Sequence, residues 1–153
     1  MKRVRNPGWI VFLFCASLLG APYTDNGNGT MTDSATGLIW QKCSNGQNAT
    51  SCSGSASTLT WSNAITYCNG LTLAGRTWRL PNVNELRTIV DYTKSSEPPI
   101  DTTAFPSTQS GGYWSSSTYA QNTSYAWYVV FVGGYVGSES RTVTKYVRCV
   151  TGP

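Results

Sequence analysis

The stretch from Gly111 to Val150, GGYWSSSTYAQNTSYAWYVVFVGGYVGSESRTVTKYVRCV, decides the fold of this chain. Two runs of β-branched and aromatic residues flank Gly133-Gly134, and a glycine pair between such runs is typical of a two-residue hairpin turn. Such a turn places Val132 opposite Tyr135. The pattern therefore predicts a C-terminal β-hairpin, and we expect the surface that meets a ligand to lie on it.

Side chains alternate between the two faces of a strand, so the hairpin residues divide into two sets. The alternation predicts a core set, namely Trp127, Val129, Phe131 and Val136. It predicts an outward set, namely Tyr128, Val130, Val132 and Tyr135. The two-residue turn also pairs Phe131 with Val136 and Val130 with Gly137. The outward set forms an aromatic and β-branched patch, which either binds a ligand or is covered by loops or a partner subunit.

The composition favours one loop-rich domain of the β or α+β class. With 153 residues, 40% of them hydrophobic, the chain is long enough for one core and short for two. Charged residues make up only 12% of the chain, while Ser, Thr, Asn and Gly abound. This balance is typical of extracytoplasmic domains rather than helical bundles.

The first residues have the pattern of a secretion signal, since Lys2, Arg3 and Arg5 precede an apolar run. We expect residues 1–21 to be removed, and residues 22–153 to form a domain that is secreted, periplasmic or on the surface of a bacterial cell. An uncleaved membrane anchor and a lipid-modified Cys15 are the alternatives. Three of the 11 basic residues lie in this signal, which leaves 8 against 7 acidic ones. Net charge therefore gives no support for nucleic-acid binding.

Four cysteines follow the signal: Cys43, Cys52, Cys68 and Cys149. An even number in an exported chain predicts two disulfides, and three pairings are open. Zinc binding is the competing interpretation, but the chain has no histidine and no C-x-x-C spacing. We therefore expect no bound metal and no cofactor.

A first helix is predicted after Thr60, a suitable N-cap residue, and it ends at Asn69-Gly70. Its apolar residues recur at helical spacing, which places Cys68 on the buried face. The positions concerned are Trp61, Ala64, Ile65 and Cys68.

A second helix is predicted after Asn82, because Glu85 stands in the capping-box position. Val83, Leu86 and Val90 would share its buried face. Arg79 and Glu85 are interpreted as a structural ion pair or surface charges rather than a catalytic pair, since no second acid or nucleophile accompanies them.

The segments before and after the helices are predicted to be turn-rich. The residues up to Cys43 read as short strands around turns at 26–29 and 33–37. A calcium loop is the alternative for the first turn, but the downstream Glu of that pattern is missing. Residues 94–109 contain three prolines and are predicted to form a long loop that Phe105 anchors to the core.

An ordered set of motifs runs from residue 23 to residue 151: NGNGTMTDSATGLIWQKC, TWSNAITYCNGL, TWRLPNVNELRTIVDY, IDTTAFP, YWSSSTY, AWYVVF and YVRCV. This set resembles the Lcl C-terminal domain family, which includes the binding domain of a bacterial collagen-like adhesin and is similar to the Fibrobacter major paralogous domain. The resemblance implies an α+β, C-type-lectin-like fold in which two helices flank a curled antiparallel sheet. It also implies the disulfide pairs Cys68–Cys149 and Cys43–Cys52.

The chain departs from the calcium-dependent sugar-binding lectins of that fold. Glu97-Pro98-Pro99 and Trp114-Ser115-Ser116 supply neither the amide nor the acid ligands that such a site needs. Formylglycine-generating oxidases share the fold but need free reactive cysteines, whereas each cysteine here has a partner available. With no histidine and no nucleophile motif, we expect no enzyme activity.

We expect instead a ligand-binding or adhesion module that acts through the C-terminal hairpin. The contact candidates are Tyr113, Ser116, Tyr119, Tyr125, Tyr128, Val130, Val132, Tyr135, Ser138 and Arg141. Aromatic rings supply contact area at low entropic cost, and Ser and Arg supply adaptable polar contacts.

The resemblance to the adhesin implies a polysaccharide ligand such as a sulfated glycosaminoglycan, a surface protein being the other choice, and a homotrimer. Arg141, Lys145 and Arg148 are candidates to meet sulfate. The alternative is a variable receptor diversified by a retroelement, because the Tyr, Ser, Thr, Val and Gly at the outward positions are products that mutated asparagine codons yield.

Overall fold

The computed structural model describes residues 22–152, and the predicted secretion signal, residues 1–21, lies outside them. The described chain is an α+β domain, as predicted. The strands are β1 Tyr23–Asp25, β2 Thr30–Asp33, β3 Ile39–Gln41, β4 Gly112–Thr118, β5 Tyr125–Val130, β6 Val136–Ser140 and β7 Val150–Thr151. The helices are α1 Trp61–Gly70 and α2 Val83–Thr88, with a short 3-10 turn at Leu73–Gly75 between them.

The strands form two antiparallel sheets rather than the single curled sheet that the resemblance implied. The first sheet has the order β1-β2-β3-β7, and the second has the order β4-β5-β6. The chain between β6 and β7 pairs with Tyr113 of β4 through Tyr146, with Gln41 of β3 through the Cys149 carbonyl, and with Leu59, which lies in neither sheet, through Lys145. Because this segment divides its backbone hydrogen bonds among different neighbours, no continuous ladder joins the two sheets.

The first sheet is built on the tight turns that the sequence predicts. The Asp25 carboxylate accepts the Gly27 N–H at 2.9 Å and forms an ion pair with Lys42 at 2.7 Å. Both contacts hold the turn together, which supports the turn-rich interpretation over a calcium loop. Asp33 organises the next turn in the same way, because its side chain accepts the Ala35 N–H at 2.9 Å.

Both predicted helices are present. Helix α1 buries Ala64 and Cys68 and begins after Thr60, whose side chain makes no capping hydrogen bond. Helix α2 has the predicted capping box, in which Asn82 and Glu85 bond each other's backbone N–H groups. Glu85 also receives two hydrogen bonds from Arg79, at 2.7 and 2.6 Å, which confirms the structural ion pair.

The two disulfides are those that the resemblance implied. Cys68–Cys149 joins α1 to the segment that leads into β7, with 81 residues of separation. Cys43–Cys52 closes a local loop with a separation of 9. Phe105 is fully buried, so the long loop is anchored as predicted.

Candidate binding surface

The second sheet lies between the two helices, so both of its faces are partly covered. One face carries Trp114 and Ala126, which belong to the hydrophobic cluster under α1. The other face carries Tyr113 and Val129, which belong to the cluster that contains Leu86 of α2. The prediction of one core face and one outward face is therefore too simple, and exposed side chains occur at the ends and rims of the sheet.

Two of the ten predicted contact residues are buried, and their prediction is wrong. Tyr113 is 0% exposed, and its hydroxyl hydrogen-bonds with Ser44 Oγ at 2.8 Å and accepts the Gln109 N–H at 3.0 Å. Val130 is 7% exposed and lies opposite Gly112 of β4. Both are covered because each face of this sheet has its own packing partners, which strand alternation alone does not reveal.

The hairpin turn is longer than predicted, and the register is shifted by two residues. The N–H of Val130 donates to the carbonyl of Tyr135 at 2.8 Å, so residues 131–134 form a four-residue turn. Phe131, predicted to pair with Val136, leaves the strand and is buried in the turn. Burying this ring favours the longer turn over the tighter one.

The tip of the hairpin exposes two of the predicted contact residues, Val132 and Tyr135, at 42% and 58%. The hydroxyl of Tyr92 donates to the Gly134 carbonyl at 3.0 Å. The Glu97 carboxylate accepts the Gly133 N–H at 2.9 Å. The tip thus displays apolar side chains on a backbone that is tied to the proline-rich loop.

Three further candidates are partly exposed along the α2 side of the sheet, namely Tyr119, Tyr125 and Ser138. The ring of Tyr119 contacts that of Trp127 edge-on, at 5.2 Å between centroids. Trp127 was predicted to be core and is only partly buried here. Ser116 lies in an irregular part of β4 and donates its N–H to the Pro81 carbonyl at 2.8 Å. The ten candidates therefore do not form one patch.

On the α1 side, two cations lie against aromatic rings at the surface. We call these four residues the basic aromatic surface: Trp61, Tyr128, Arg141 and Lys145. The Arg141 Cζ lies 3.9 Å from the centroid of the Trp61 ring, and the Lys145 Nζ lies 3.8 Å from that of Tyr128. Such cation–π contacts contribute about 0.5–2 kcal/mol each. All four side chains are partly exposed, so each cation is held in place while it still meets solvent.

A buried tryptophan, Trp114, supports both of these pairs. The ring of Tyr128 meets it edge-on, at 6.1 Å between centroids. The indole N–H of Trp61 donates to the carbonyl of Ser115, the residue that follows Trp114, at 2.8 Å. Leu59 accepts the Trp114 indole N–H at 2.9 Å and pairs through its backbone with Lys145. The two cation–aromatic pairs therefore belong to one continuous surface.

Two glycines make room for the ring of Tyr128. A β-carbon at Gly137, directly opposite on β6, would lie 2.7 Å from the Cζ and the hydroxyl of Tyr128. A β-carbon at Gly112 on β4 would lie 3.1 Å from the same ring and 3.2 Å from Lys145. The absence of side chains at these two positions lets the ring lie across the strands beneath the lysine.

Neither cation of the basic aromatic surface is paired with a carboxylate within residues 22–152, where the ion pairs are Lys42–Asp25 and Arg79–Glu85. Burial lowers the pKa of Lys145 from its ordinary value, and the charge of Glu139 acts in the opposite direction. Burial also raises the pKa of Tyr128, which keeps its phenol neutral. The surface thus presents two cationic groups beside neutral rings.

Arg148, predicted to meet sulfate, is 1% exposed and cannot reach a ligand. Its guanidinium donates to the Lys42 carbonyl at 3.0 Å, to Thr108 Oγ1 at 2.8 Å and to Ser44 Oγ at 3.4 Å. It also lies 4.6 Å from the centroid of the Phe105 ring. The prediction is wrong because the loops around β3 and Phe105 close over this side chain.

The sequence interpretation assigned Trp61 to the buried face of α1 and missed its contact with Arg141. Residue spacing gives no signal for this contact, since 80 positions separate the two residues. The contact follows from the backbone, because the Trp61 N–H donates to the Arg141 carbonyl at 3.1 Å. Only the pairing of these distant segments brings the ring and the guanidinium together.

The described part of the chain contains no group of three or more His, Cys, Asp or Glu side chains placed to hold a metal ion. None of the helices in residues 22–152 is both long enough and apolar enough to cross a membrane.

No curated protein matches this sequence. The model of the Lcl C-terminal domain family matches residues 29–151, which is most of the chain. The chain therefore belongs to the Lcl C-terminal domain family.

Proposed function

We propose that this chain is a non-enzymatic binding module that acts outside the cytoplasm and holds an acidic polysaccharide on its basic aromatic surface. The observation that carries the proposal is the pair of cations, Arg141 and Lys145. Each is held against an aromatic ring, and neither forms an ion pair among the described residues. We also propose a C-type-lectin-like fold, which is supported by the packing of the two helices against opposite faces of the second sheet.

The geometry suits a ligand with both apolar and anionic parts. Rings of Trp61 and Tyr128 offer flat apolar area to the carbon face of a sugar, while the two cations offer hydrogen bonds to sulfate or carboxylate groups. The cations are already ordered by the rings, so binding loses less side-chain entropy than it does with free lysines and arginines.

The state of the cysteines supports a binding role over an oxidase. A formylglycine-generating oxidase needs free reactive thiols, whereas the four cysteines within residues 22–152 are joined in two disulfides. Disulfides also support a location in an oxidising compartment, such as the periplasm or the cell surface.

The test is equilibrium binding of the full exported chain to a sulfated polysaccharide and to its desulfated form. We expect Arg141→Ala and Lys145→Ala each to weaken binding of the sulfated form by about fivefold to thirtyfold, the cost of one or two charge-assisted hydrogen bonds. Affinity should fall with added salt, because exposed charges are screened.

Arg87→Ala is the matched control, since it removes an exposed cation from helix α2, away from the basic aromatic surface. This variant should bind like the parent protein. If the double variant Arg141→Ala, Lys145→Ala is folded and binds as tightly as the parent, the proposed site is wrong. Equal binding of the sulfated and desulfated forms would reject sulfate as the recognised group, and equal binding of a neutral polysaccharide would reject the acidic ligand class.

A further inference from the structure

Strand β6 has an open side. It is the last strand of the order β4-β5-β6, and β5 is its only pairing partner among the described strands. All five of its residues, VGSES, are partly exposed. An open strand edge is a template for pairing with another strand, and proteins often protect such edges with Pro, Lys or a bulge. Strand β6 has no Pro, Lys or bulge, and its one charged residue is Glu139.

The outward backbone groups of β6 belong to Val136, Ser138 and Ser140. Hydrogen bonding alternates in direction along a strand, and the two ends of β6 show which residues bond β5. The Tyr135 carbonyl accepts from Val130 at 2.8 Å, and the Arg141 N–H donates to Ser124 at 3.0 Å. The odd-numbered residues therefore bond inward. Of the outward groups, the Ser140 carbonyl alone has a backbone partner within residues 22–152, the Val143 N–H at 3.2 Å.

We propose that a second copy of this chain pairs with β6, antiparallel and symmetric about Ser138. In this register Ser138 faces its counterpart and Val136 faces Ser140 of the other copy. The two sheets then join through about four hydrogen bonds between free groups and about two more to the Ser140 carbonyls, which accept from Val143 with one of their two lone pairs. A register shifted toward either end uses fewer of them. Gly137 then faces Glu139 of the other copy. The two Glu139 carboxylates are therefore not directly opposite each other, which avoids the destabilising effect of facing like charges.

The exposed apolar side chains favour a second copy as the occupant. The large hydrophobic residues exposed in the described chain are Tyr92, Val132, Tyr135 and Val143. Val132 and Tyr135 precede β6, and Val143 follows it. Antiparallel pairing of two identical strands brings the start of one beside the end of the other. Tyr135 of one copy therefore faces Arg141 and lies near Val143 of the other copy, and this contact occurs twice per dimer.

This symmetric pairing closes on itself, because both copies use the same edge, that of β6, and the contact leaves no second β6 edge for a third copy. The assembly is thus a dimer, which differs from the homotrimer implied by the resemblance. The inference does not rest on the polysaccharide proposal, because it is argued from the open edge of β6, although the dimer would place Tyr135 of one copy beside Arg141 of the other.

The first test is the mass of the full exported chain by light scattering and sedimentation over a range of concentrations. We expect a reversible equilibrium between one and two copies. Ser138→Pro removes an outward N–H that is not bonded to β5 and should weaken the dimer at least tenfold, since Pro is tolerated on an open edge but cannot donate. Ser138→Ala keeps the N–H and should dimerise like the parent. A monomer at all concentrations, a trimer, or an unchanged Ser138→Pro dimer overturns the proposal.

The second test does not depend on how Ser138→Pro folds. In the proposed register the two copies of residue 138 have α-carbons about 5.5 Å apart, within reach of a disulfide. Ser138→Cys should therefore cross-link two copies under mild oxidation. Ser140→Cys is the control, since its two copies lie about 13 Å apart along the strands and should stay unlinked. Equal cross-linking of both variants, or of neither, contradicts the register.

Discussion

The ring of Tyr128 lies across Gly137 on the neighbouring strand, so closely that a β-carbon there would be 2.7 Å from the phenol oxygen. Lys145 rests on the exposed side of the same ring, with its Nζ 3.8 Å from the centroid. A residue without a side chain on β6 thus sets the position of an aromatic ring, which in turn sets the position of a cation.

We predict that Gly137→Ala weakens binding at the basic aromatic surface. The added methyl group must displace the Tyr128 ring and, with it, Lys145. We expect about fivefold weaker binding of the acidic polysaccharide and a loss of about 1 kcal/mol in the free energy of unfolding, as is typical of small overpacking. Gly70→Ala is the control, because nothing lies within 4 Å of its β-carbon. Unchanged binding by folded Gly137→Ala would show that the ring position does not matter.

We predict that Arg148→Met destabilises the fold by roughly 2 kcal/mol, measured by denaturant unfolding with the disulfides intact. Burial lowers the pKa of Arg148, so its charge is costly to keep in the interior. Its removal nevertheless leaves the Lys42 carbonyl and the Thr108 hydroxyl without the donor that they accept from, whereas Ser44 keeps its hydrogen bond with Tyr113. We expect this second effect to be larger, because unsatisfied buried acceptors cost about 1–3 kcal/mol each.

Arg148→Lys separates charge from shape. Lysine keeps the positive charge but lacks the planar fork that reaches several acceptors at once. We expect this variant to be destabilised as well. If Arg148→Lys unfolded at the same denaturant concentration as the parent protein, charge alone would stabilise the loops around Phe105.

We predict that the two disulfides differ in their contribution to stability. In the chain-entropy model, a bond that closes 81 residues stabilises by about 4 kcal/mol, and one that closes 9 residues by about 3 kcal/mol or less. Replacing Cys68 and Cys149 by Ala should therefore lower the melting temperature more than replacing Cys43 and Cys52. The reverse order would indicate that the local loop matters more to the folded state than chain entropy suggests.

We predict that acid destabilises the protein partly through Glu85. Burial pushes the pKa of Glu85 upward, but hydrogen bonds from Arg79 and the Asn82 N–H, with the charge of Arg79, outweigh it and lower the net pKa below 4.5. The unfolded chain then takes up this proton more readily than the folded chain does. The contribution of Glu85 is full above its ordinary pKa and is lost as the pH falls through the lowered value.

Unfolding measured between about pH 3 and pH 6 checks this linkage. Arg79→Gln should flatten the pH dependence, because it removes the partner that lowers the pKa of Glu85. Arg87→Gln removes another cation, from the last turn of α2, and should leave the dependence in place. Identical profiles for Arg79→Gln and the parent protein would mean that other carboxylates dominate.

Features with local causes could be predicted from the sequence. The capping box of α2 joins Asn82 and Glu85, which stand three positions apart, so the signal and the structure coincide. The helical spacing of Ala64 and Cys68 predicted the buried face of α1. The pairing of the disulfides came from family resemblance rather than from spacing, since four cysteines allow three pairings.

The hairpin shows why the candidate site was harder to predict. Alternation identified β5 and β6 as strands, but the register depended on where Phe131 could be buried. Alternation assigned Val130 to the outward face, and Tyr113 was a contact candidate, but both are buried because both faces of this sheet are covered, which a sequence does not show. The same limit placed Arg148 at the surface, although loops from distant parts of the chain enclose it.

The sequence by itself determined the positions of the helices, the capping box of α2, the hairpin strands and the number of disulfides, because each depends on neighbouring residues or on a simple count. Only the tertiary structure decided which aromatic residues face solvent and which cations are available. Those properties depend on contacts across the chain, such as Arg141 with Trp61, Lys145 with Tyr128 and Arg148 with Phe105. A side chain's exposure is set by what packs over it, and no local pattern contains that information.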